Sequence, residues 1–351
     1  MACTARTPRS VSDAAQAATL ITRRRSGRYK WRLIIRAVVL GYVVCVAVLA
    51  LYLRIYSDAS TWGMLLAFAP RWLLLLPWLA LIPLAWFESR QLAAVAAFGA
   101  LLTGFGVAGV EVPSVVGPSP ARRALRLVTY NTDGFPLVSR TMRRALREWR
   151  ADVVVFSVCT PDLADTLRAI AGENARFVRE FCIVSALPVR SIDTMPAPPT
   201  GVPRTSAVRL DVETTNGPLA IFAVHFESPR NALWSARHLD FSQLQESIVR
   251  RTTDSRRTAL WVRDAKVPYV VAGDFNLPQG SSILRNDWGA LENAFSERGW
   301  GIGYTMFAGK FAVRIDHIIV SPELTTERIV LPRGFPSEHQ PVLADISWPK
   351  H

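Results

Sequence analysis

Cysteine is scarce in this 351-residue chain. Its four residues, Cys3, Cys45, Cys159 and Cys182, form no CxxC pair, which argues against a cysteine-built zinc module. No internal repeat is evident, so a solenoid or propeller is not expected. Acidic residues are outnumbered, 28 against 41 Lys and Arg, giving a net charge of +13. Yet the C-terminal two thirds lack a basic stripe interleaved with aromatics, so a nucleic-acid partner is not expected despite a pI near 10.3. What abounds is apolar residues. They make up 50% of the chain, and the mean hydropathy is +0.19. That is too apolar for an ordinary soluble enzyme and too polar for a transporter, and it points to a short membrane region joined to a soluble domain.

The basic charge is concentrated at the start. Residues 1–36 hold nine Lys and Arg (Arg6, Arg9, Arg23, Arg24, Arg25, Arg28, Lys30, Arg32, Arg36) against one acid, Asp13, a net +8 of the chain's +13. Such a leader is drawn to anionic lipid and keeps the N-terminus cytoplasmic. Three apolar runs follow: Ala37 to Leu53, extendable to Leu33 if Arg36 snorkels; Trp72 to Phe87, with Pro77 and Pro83; and Leu92 to Val110. Each approaches the length that crosses a bilayer. Three crossings from a cytoplasmic leader put the rest outside the cytoplasm, whereas a re-entrant second run would put it inside. The expected organisation is a leader (1–32), three transmembrane helices (33–110), a Pro/Ser/Gly-rich linker (111–124) and a soluble domain (125–351).

In that domain short β-branched runs alternate with helical stretches. Strands are expected at Leu125–Tyr130, Asp152–Phe156, Cys182–Ser185, Ser206–Glu213, Leu219–His225, Tyr269–Ala272, Ile315–Val320 and Val342–Ile346. Their continuous apolar character suits strands covered on both faces. The spacing predicts helices at Thr141–Trp149 and Ala236–Arg251. The pattern is α/β or α+β with mixed sheets.

Five polar segments flank these strands: Tyr130-Asn131-Thr132-Asp133-Gly134, Val224-His225-Phe226, Gly273-Asp274-Phe275-Asn276, Arg314-Ile315-Asp316-His317 and Ser337-Glu338-His339-Gln340-Pro341. Loops at strand ends let a rigid sheet gather distant residues into one site. Singly, each segment has a bland reading as a turn, a helix cap or a core histidine. Together they suit phosphoester hydrolysis. That reaction needs hard oxygen ligands for a cation, a group to orient or deprotonate water, and donors for the developing charge.

Taken in order, Gly-Asp-Phe-Asn, Arg-Ile-Asp-His and Ser-Glu-His-Gln-Pro resemble the motifs of the endonuclease/exonuclease/phosphatase superfamily over residues 125–348. The resemblance implies a DNase I-like fold: two mixed β-sheets in a four-layer sandwich flanked by helices, here preceded by three transmembrane helices. It implies metal-site roles for Asn131, Asp133 and Glu338, with Mg²⁺ or Mn²⁺ as cofactor. It further implies a phosphate contact for His225, water activation and orientation by Asp274 and Asn276, and an Asp316–His339 pair. His317, adjacent to Asp316, should face the other way and is read as structural. The three-span anchor is similar to that of bacterial teicoplanin-resistance membrane phosphatases. This implies a lipid or lipid-linked phosphate substrate outside the cytoplasm, in a bacterial cell membrane.

One position departs from the pattern. Where the family carries a glutamate ligand after its second strand, this chain has Val158, preceded by Ser157. Asp162 and Glu227 are the nearest candidates by sequence to replace it. Three readings follow: a metal-dependent phosphoester or pyrophosphate hydrolase, a membrane-tethered binding protein on a degenerate site, and, third, a nuclease. Cys159 and Cys182 are either disulfide-bonded or two buried thiols. Oligomeric state is not legible.

Overall fold

A computed structural model describes residues 11–114, 123–135, 138–197, 205–309 and 311–348, with side chains described from residue 29 in the first helix and from residue 125 in the first strand. Most of the basic leader, most of the 111–124 linker and residues 198–204 therefore lie outside the described side chains. Two compact units emerge: residues 1–50 with 72–104, and residues 51–71 with 105–351.

Four helices precede the first long strand: α1 (Val11–Ile55), α2 (Thr61–Phe68), α3 (Trp78–Glu88) and α4 (Arg90–Leu102). Among the described residues, three stretches are long and apolar enough to cross a membrane: Tyr29–Ile55, Arg71–Glu88 and Arg90–Ala108. The second is interrupted. A 3₁₀ turn at Arg71–Leu75 gives way to α3 just after Pro77, which lacks the N–H needed to carry a helix through. Arg36 pairs with Glu88 at 2.8 Å, and Arg32 joins from 3.1 Å.

The larger unit is a four-layer sandwich. Its strands are β1 (Arg123–Asn131), β2 (Val153–Ser157), β3 (Ala175–Val178), β4 (Phe181–Ser185), β5 (Val189–Thr194), β6 (Ala207–Thr214), β7 (Gly217–His225), β8 (Tyr269–Asp274), β9 (Glu292–Asn293), β10 (Met306–Ala308), β11 (Phe311–Val313), β12 (Asp316–Val320), β13 (Thr325–Val330) and β14 (Val342–Ser347). One six-stranded sheet runs β13-β14-β1-β2-β4-β3, the other β5-β6-β7-β8-β12-β9, and β10–β11 is a separate hairpin. Both sheets are mixed: β1–β2 and β7–β8 are parallel, and their other pairings antiparallel. The helices are α5 (Ser139–Trp149), α6 (Pro161–Ala171), α7 (Arg230–Arg237), α8 (Ser242–Arg263), α9 (Ser282–Trp288) and α10 (Ala294–Arg298).

Strand periodicity sorts the core into layers. Leu125, Leu127, Val153 and Val155 point between the sheets and meet Leu210, Ile221, Val270 and Ile318 of the other sheet. Their neighbours Val128, Tyr130, Val154 and Phe156 point outward, against Met142, Trp149, Leu163 and Leu167 of α5 and α6. Phe222, Val271 and Ile319 face Ala259 and Val262 of α8 and Trp288 of α9. Side chains alternate across a strand, so a run of consecutive apolar residues serves two interfaces at once.

Two expectations change. The helix anticipated at 236–251 is two helices, with Leu239 left-handed between them (φ +64°) and Asp240 accepting the Ser242 N–H at 3.0 Å to start α8. The linker is not free at its start. Glu111 pairs with Gly301 as a β-bridge, and its carboxylate accepts from Gln279, Ser296 and Arg314. The segment between the first two apolar stretches likewise belongs to the larger unit. Asp58 and Arg251 form a fully buried ion pair at 3.0 Å, and the Ser281 hydroxyl donates to the other Asp58 oxygen at 2.7 Å.

Candidate functional site

The polar segments converge because three strands end in register. His225, at the end of β7, lies beside Asp274 at the end of β8, and Asp274 faces Asp316 at the start of β12. The glycine before Asp274 is required by this closeness. A Cβ on Gly273 would stand 1.9 Å from the Val224 carbonyl oxygen. From the other sheet, Asn131 at the end of β1 reaches across and donates its amide N–H to Asp274 Oδ2 at 2.8 Å.

Asp274 is the centre of this network. Its Oδ1 accepts the Asn276 backbone N–H at 2.8 Å, and its Oδ2 accepts from the Asn276 side chain at 3.2 Å. Asn276 adopts a left-handed backbone, φ +49°, and its amide also donates to the Phe226 carbonyl. Two imidazoles flank the carboxylate: His225 Nε2 at 3.9 Å and His339 Nε2 at 3.8 Å. Each imidazole is backed by another acid. Glu180 Oε2 meets His225 Nδ1 at 3.0 Å, and Asp316 Oδ2 meets His339 Nδ1 at 2.9 Å.

The electrostatics follow from burial and like charge. Burial and the Asp316 carboxylate push Asp274 above the usual carboxylate range, while His339 and His225 work against this. Burial alone would lower His339, but Asp316 and Asp274 outweigh it and hold the imidazole up to about 9. His339 is therefore a cation at neutral pH, with its Nε2–H on the Asp274 side. His317 is the opposite case: burial drives it down to about 4. It lies between the Leu277 carbonyl and Asn293, its ring against Phe275, as a neutral packing residue.

Asp133 and Glu338 sit at the rim, joined by Arg230, the first residue of α7. Its guanidinium lies 2.7 Å from Glu338 and 3.5 Å from Asp133. The Asn131 Oδ1 accepts the Asp133 N–H at 2.8 Å. Two carboxylates and an amide oxygen are hard donors of the kind Mg²⁺ takes while keeping several waters, so the residues fit such an ion. Deeper in, Asp274, Asp316 and His339 place donor atoms within 4.8 Å of one another, also a set able to hold a metal. Position 158 contributes no side-chain ligand. Val158 has φ +54°, a strained backbone for a β-branched residue, and its carbonyl accepts from Thr132. Of the two nearest acids by sequence, Glu227 faces Arg250 at 3.5 Å, and Asp162 is exposed in the first turn of α6.

Three site residues escaped sequence reasoning. Glu180 lies in the two-residue turn between β3 and β4, a turn with no glycine to announce it, where its carbonyl accepts the Cys159 N–H. Arg230 belongs to no motif. Thr305 accepts both the Ile315 and Asp316 N–H groups at 3.1 Å and so fixes the start of β12. The structure also bonds Cys159 to Cys182, tying the end of β2 to β4 beside Val158.

The sequence profile described as the Endonuclease/Exonuclease/phosphatase family matches residues 128–339. No curated protein matches the chain. Among solved structures, it is similar to an endonuclease/exonuclease/phosphatase family protein from Bacteroides thetaiotaomicron, with 15% identity, a TM-score of 0.51, and coverage of 65% of this chain and 98% of that one. A family member from Bacteroides vulgatus gives 18% identity, a TM-score of 0.50, and coverage of 65% and 100%. One from Beutenbergia cavernae gives 20% identity, a TM-score of 0.49, and coverage of 65% and 72%. The profile match spans most of the sandwich, from β1 to the His339 loop, and the chain belongs to the endonuclease/exonuclease/phosphatase family.

Proposed function

We propose that this protein is a membrane-anchored, Mg²⁺- or Mn²⁺-dependent phosphoester or pyrophosphate hydrolase that acts on a lipid-linked phosphate outside the cytoplasm. The observation that carries the reading is the pair of carboxylate–imidazole dyads, Glu180–His225 and Asp316–His339, set on either side of Asp274. In this scheme Asp274, raised by burial, takes the proton of the attacking water. Asn276 and Asn131 orient it, and the His339 imidazolium donates to a phosphate oxygen. A divalent cation held by Asn131, Asp133 and Glu338 would neutralise phosphate charge, with Arg230 beside it as a second cation.

Membrane topology draws support from packing. Residues 51–71, between the first two apolar stretches, share one unit with the hydrolase domain after the third. Both segments then lie on one side of the membrane, so the second and third stretches either both cross or both turn back. With the cationic leader inside and in contact with anionic lipid, that side is extracytoplasmic. A Cys159–Cys182 disulfide suits an oxidising compartment.

The test uses the full chain in lipid nanodiscs. Phosphate release from undecaprenyl pyrophosphate, a phospholipid and DNA is measured with Mg²⁺, with Mn²⁺ and with EDTA. Metal-dependent release from a lipid substrate is expected, and Asp274→Ala abolishes it; activity surviving that substitution sinks the mechanism. A degenerate binding site is the second reading, favoured by Val158 and by the guanidinium between Asp133 and Glu338. It predicts no turnover and no heat on Mn²⁺ titration. Val158→Glu restores a third carboxylate and tightens Mn²⁺ binding by about tenfold or more if a metal site is present.

A further inference from the structure

The helix that brings Arg230 to the site carries a second feature at its other end. Trp234 is 61% exposed, Leu239 80%, Phe241 37%, and Trp62 of α2 64%. Trp62 and Phe241 touch, with ring centroids 5.8 Å apart, and Arg237 lies over the rings of Trp234 and Phe311 at 5.6 and 4.7 Å. Leu239 combines a left-handed backbone with an exposed apolar side chain, unfavourable on both counts for a residue facing only water. The turn that presents it is built firmly: Asp240 accepts from both the backbone and the hydroxyl of Ser242. Beneath it, Met64 of α2 packs with Ala232 and Ala236 of α7 and Leu244 and Ile248 of α8.

The chain itself says what meets this patch. Trp62 lies seven residues after Ile55, the end of the first apolar stretch, and nine before Arg71, the start of the second. Even fully extended, seven residues reach only about 25 Å, and α2 with its preceding turn is far from extended. Trp and Arg side by side, with an apolar residue pushed outward, is the composition of a membrane interface.

We propose that Trp62, Trp234, Leu239 and Phe241 seat the sandwich in the bilayer interface and receive the chain of a lipid whose phosphate is delivered to Arg230. Trp234 is one helical turn from Arg230, about 6 Å along α7. A lipid phosphate at Arg230, Asp133 and Glu338 therefore has its first apolar atoms beside Trp234, with Arg237 as a flanking cation. The delivery half rests on the hydrolase reading above, while the seat does not.

The two are separated by two measurements on the full chain in nanodiscs of phosphatidylethanolamine and phosphatidylglycerol. In a background with Cys3 and Cys45 replaced by serine, Leu239→Cys carries an environment-sensitive fluorophore. Glu173→Cys, exposed in the 3₁₀ turn that follows α6, is the control. Quenching by headgroup-depth nitroxide lipids at 239 and not at 173 is expected; an unquenched label at 239 overturns the seat whatever the catalysis. Second, Trp234→Ser with Leu239→Ser lowers kcat/KM about tenfold or more for a long-chain prenyl pyrophosphate and changes it less than twofold for a short, water-soluble analogue. Equal loss on both, or loss on neither, overturns delivery. If wild type hydrolyses neither substrate, the hydrolase reading and the delivery that rests on it both fall, and quenching alone decides the seat.

Discussion

Asp58→Ala is expected to be the most damaging single change outside the catalytic centre. Arg251 and Asp58 are both wholly buried, with Arg251 Nη1 3.0 Å from Asp58 Oδ2. The same Nη1 donates to the Asn276 carbonyl at 3.3 Å, and the Ser281 hydroxyl donates to Asp58. Burial already pulls the Arg251 guanidinium down from its ordinary value, and Asp58 is what holds it up. Without that carboxylate a cation is left in an apolar interior, which costs about 3–5 kcal/mol. A unit of this size loses about 2–4 °C of Tm per kcal/mol, so a drop on the order of 6–20 °C is expected. The measurement is thermal unfolding of the full chain in detergent, followed by intrinsic fluorescence. Replacing both partners, Asp58→Leu with Arg251→Met, removes the charge along with its counterion and should recover most of the loss. If the double replacement is as unstable as Asp58→Ala, or if Asp58→Ala shifts Tm by less than about 3 °C, uncompensated charge is not what this contact prevents.

Glu180→Gln leaves His225 in place without its anionic partner. It should reduce kcat by about tenfold to a hundredfold with little change in KM, and an unchanged kcat would remove Glu180 from the mechanism. His317 gives an acid limb to stability. Its folded-state value of about 4 lies below the ordinary 6.5, so the unfolded chain takes up the proton first and stability is lost as pH falls from 6.5 to 4. The full effect is about 3 kcal/mol, and His317→Asn should flatten the Tm-against-pH curve in that window relative to wild type. Reducing Cys159–Cys182, which closes a loop of separation 23, should cost about 3 kcal/mol. Alkylation should add mass at these two residues only after reduction, and labelling without reductant would contradict the bond.

The eight strands anticipated from β-branched runs all form, because a run apolar on both faces has no stable place except between two layers. The strands that went unseen are short or half-exposed. β3 and β5 bury little, and β9 is two residues long, so neither periodicity nor composition marks them. The break between α7 and α8 was hidden because Phe241, Leu244 and Ile248 keep helical spacing across it, and only the backbone at Leu239 shows the turn.

Asn131, His225, Asp274, Asn276, Asp316 and His339 could be singled out in advance because each lies at or beside a strand end, in an ordered set of short motifs that resembles the family's. That is local information the sequence carries by itself, as are the three apolar stretches and the basic leader. Glu180, Arg230 and the Asp58–Arg251 pair were decided only by tertiary structure. Glu180 meets His225 across 45 residues, Arg230 meets Glu338 across 108, and Asp58 meets Arg251 across 193. No spacing rule reaches that far. Such contacts exist only once two sheets have packed and brought their strand ends together, and the partner of a lone charged residue in a loop is set by that packing rather than by its neighbours in the chain.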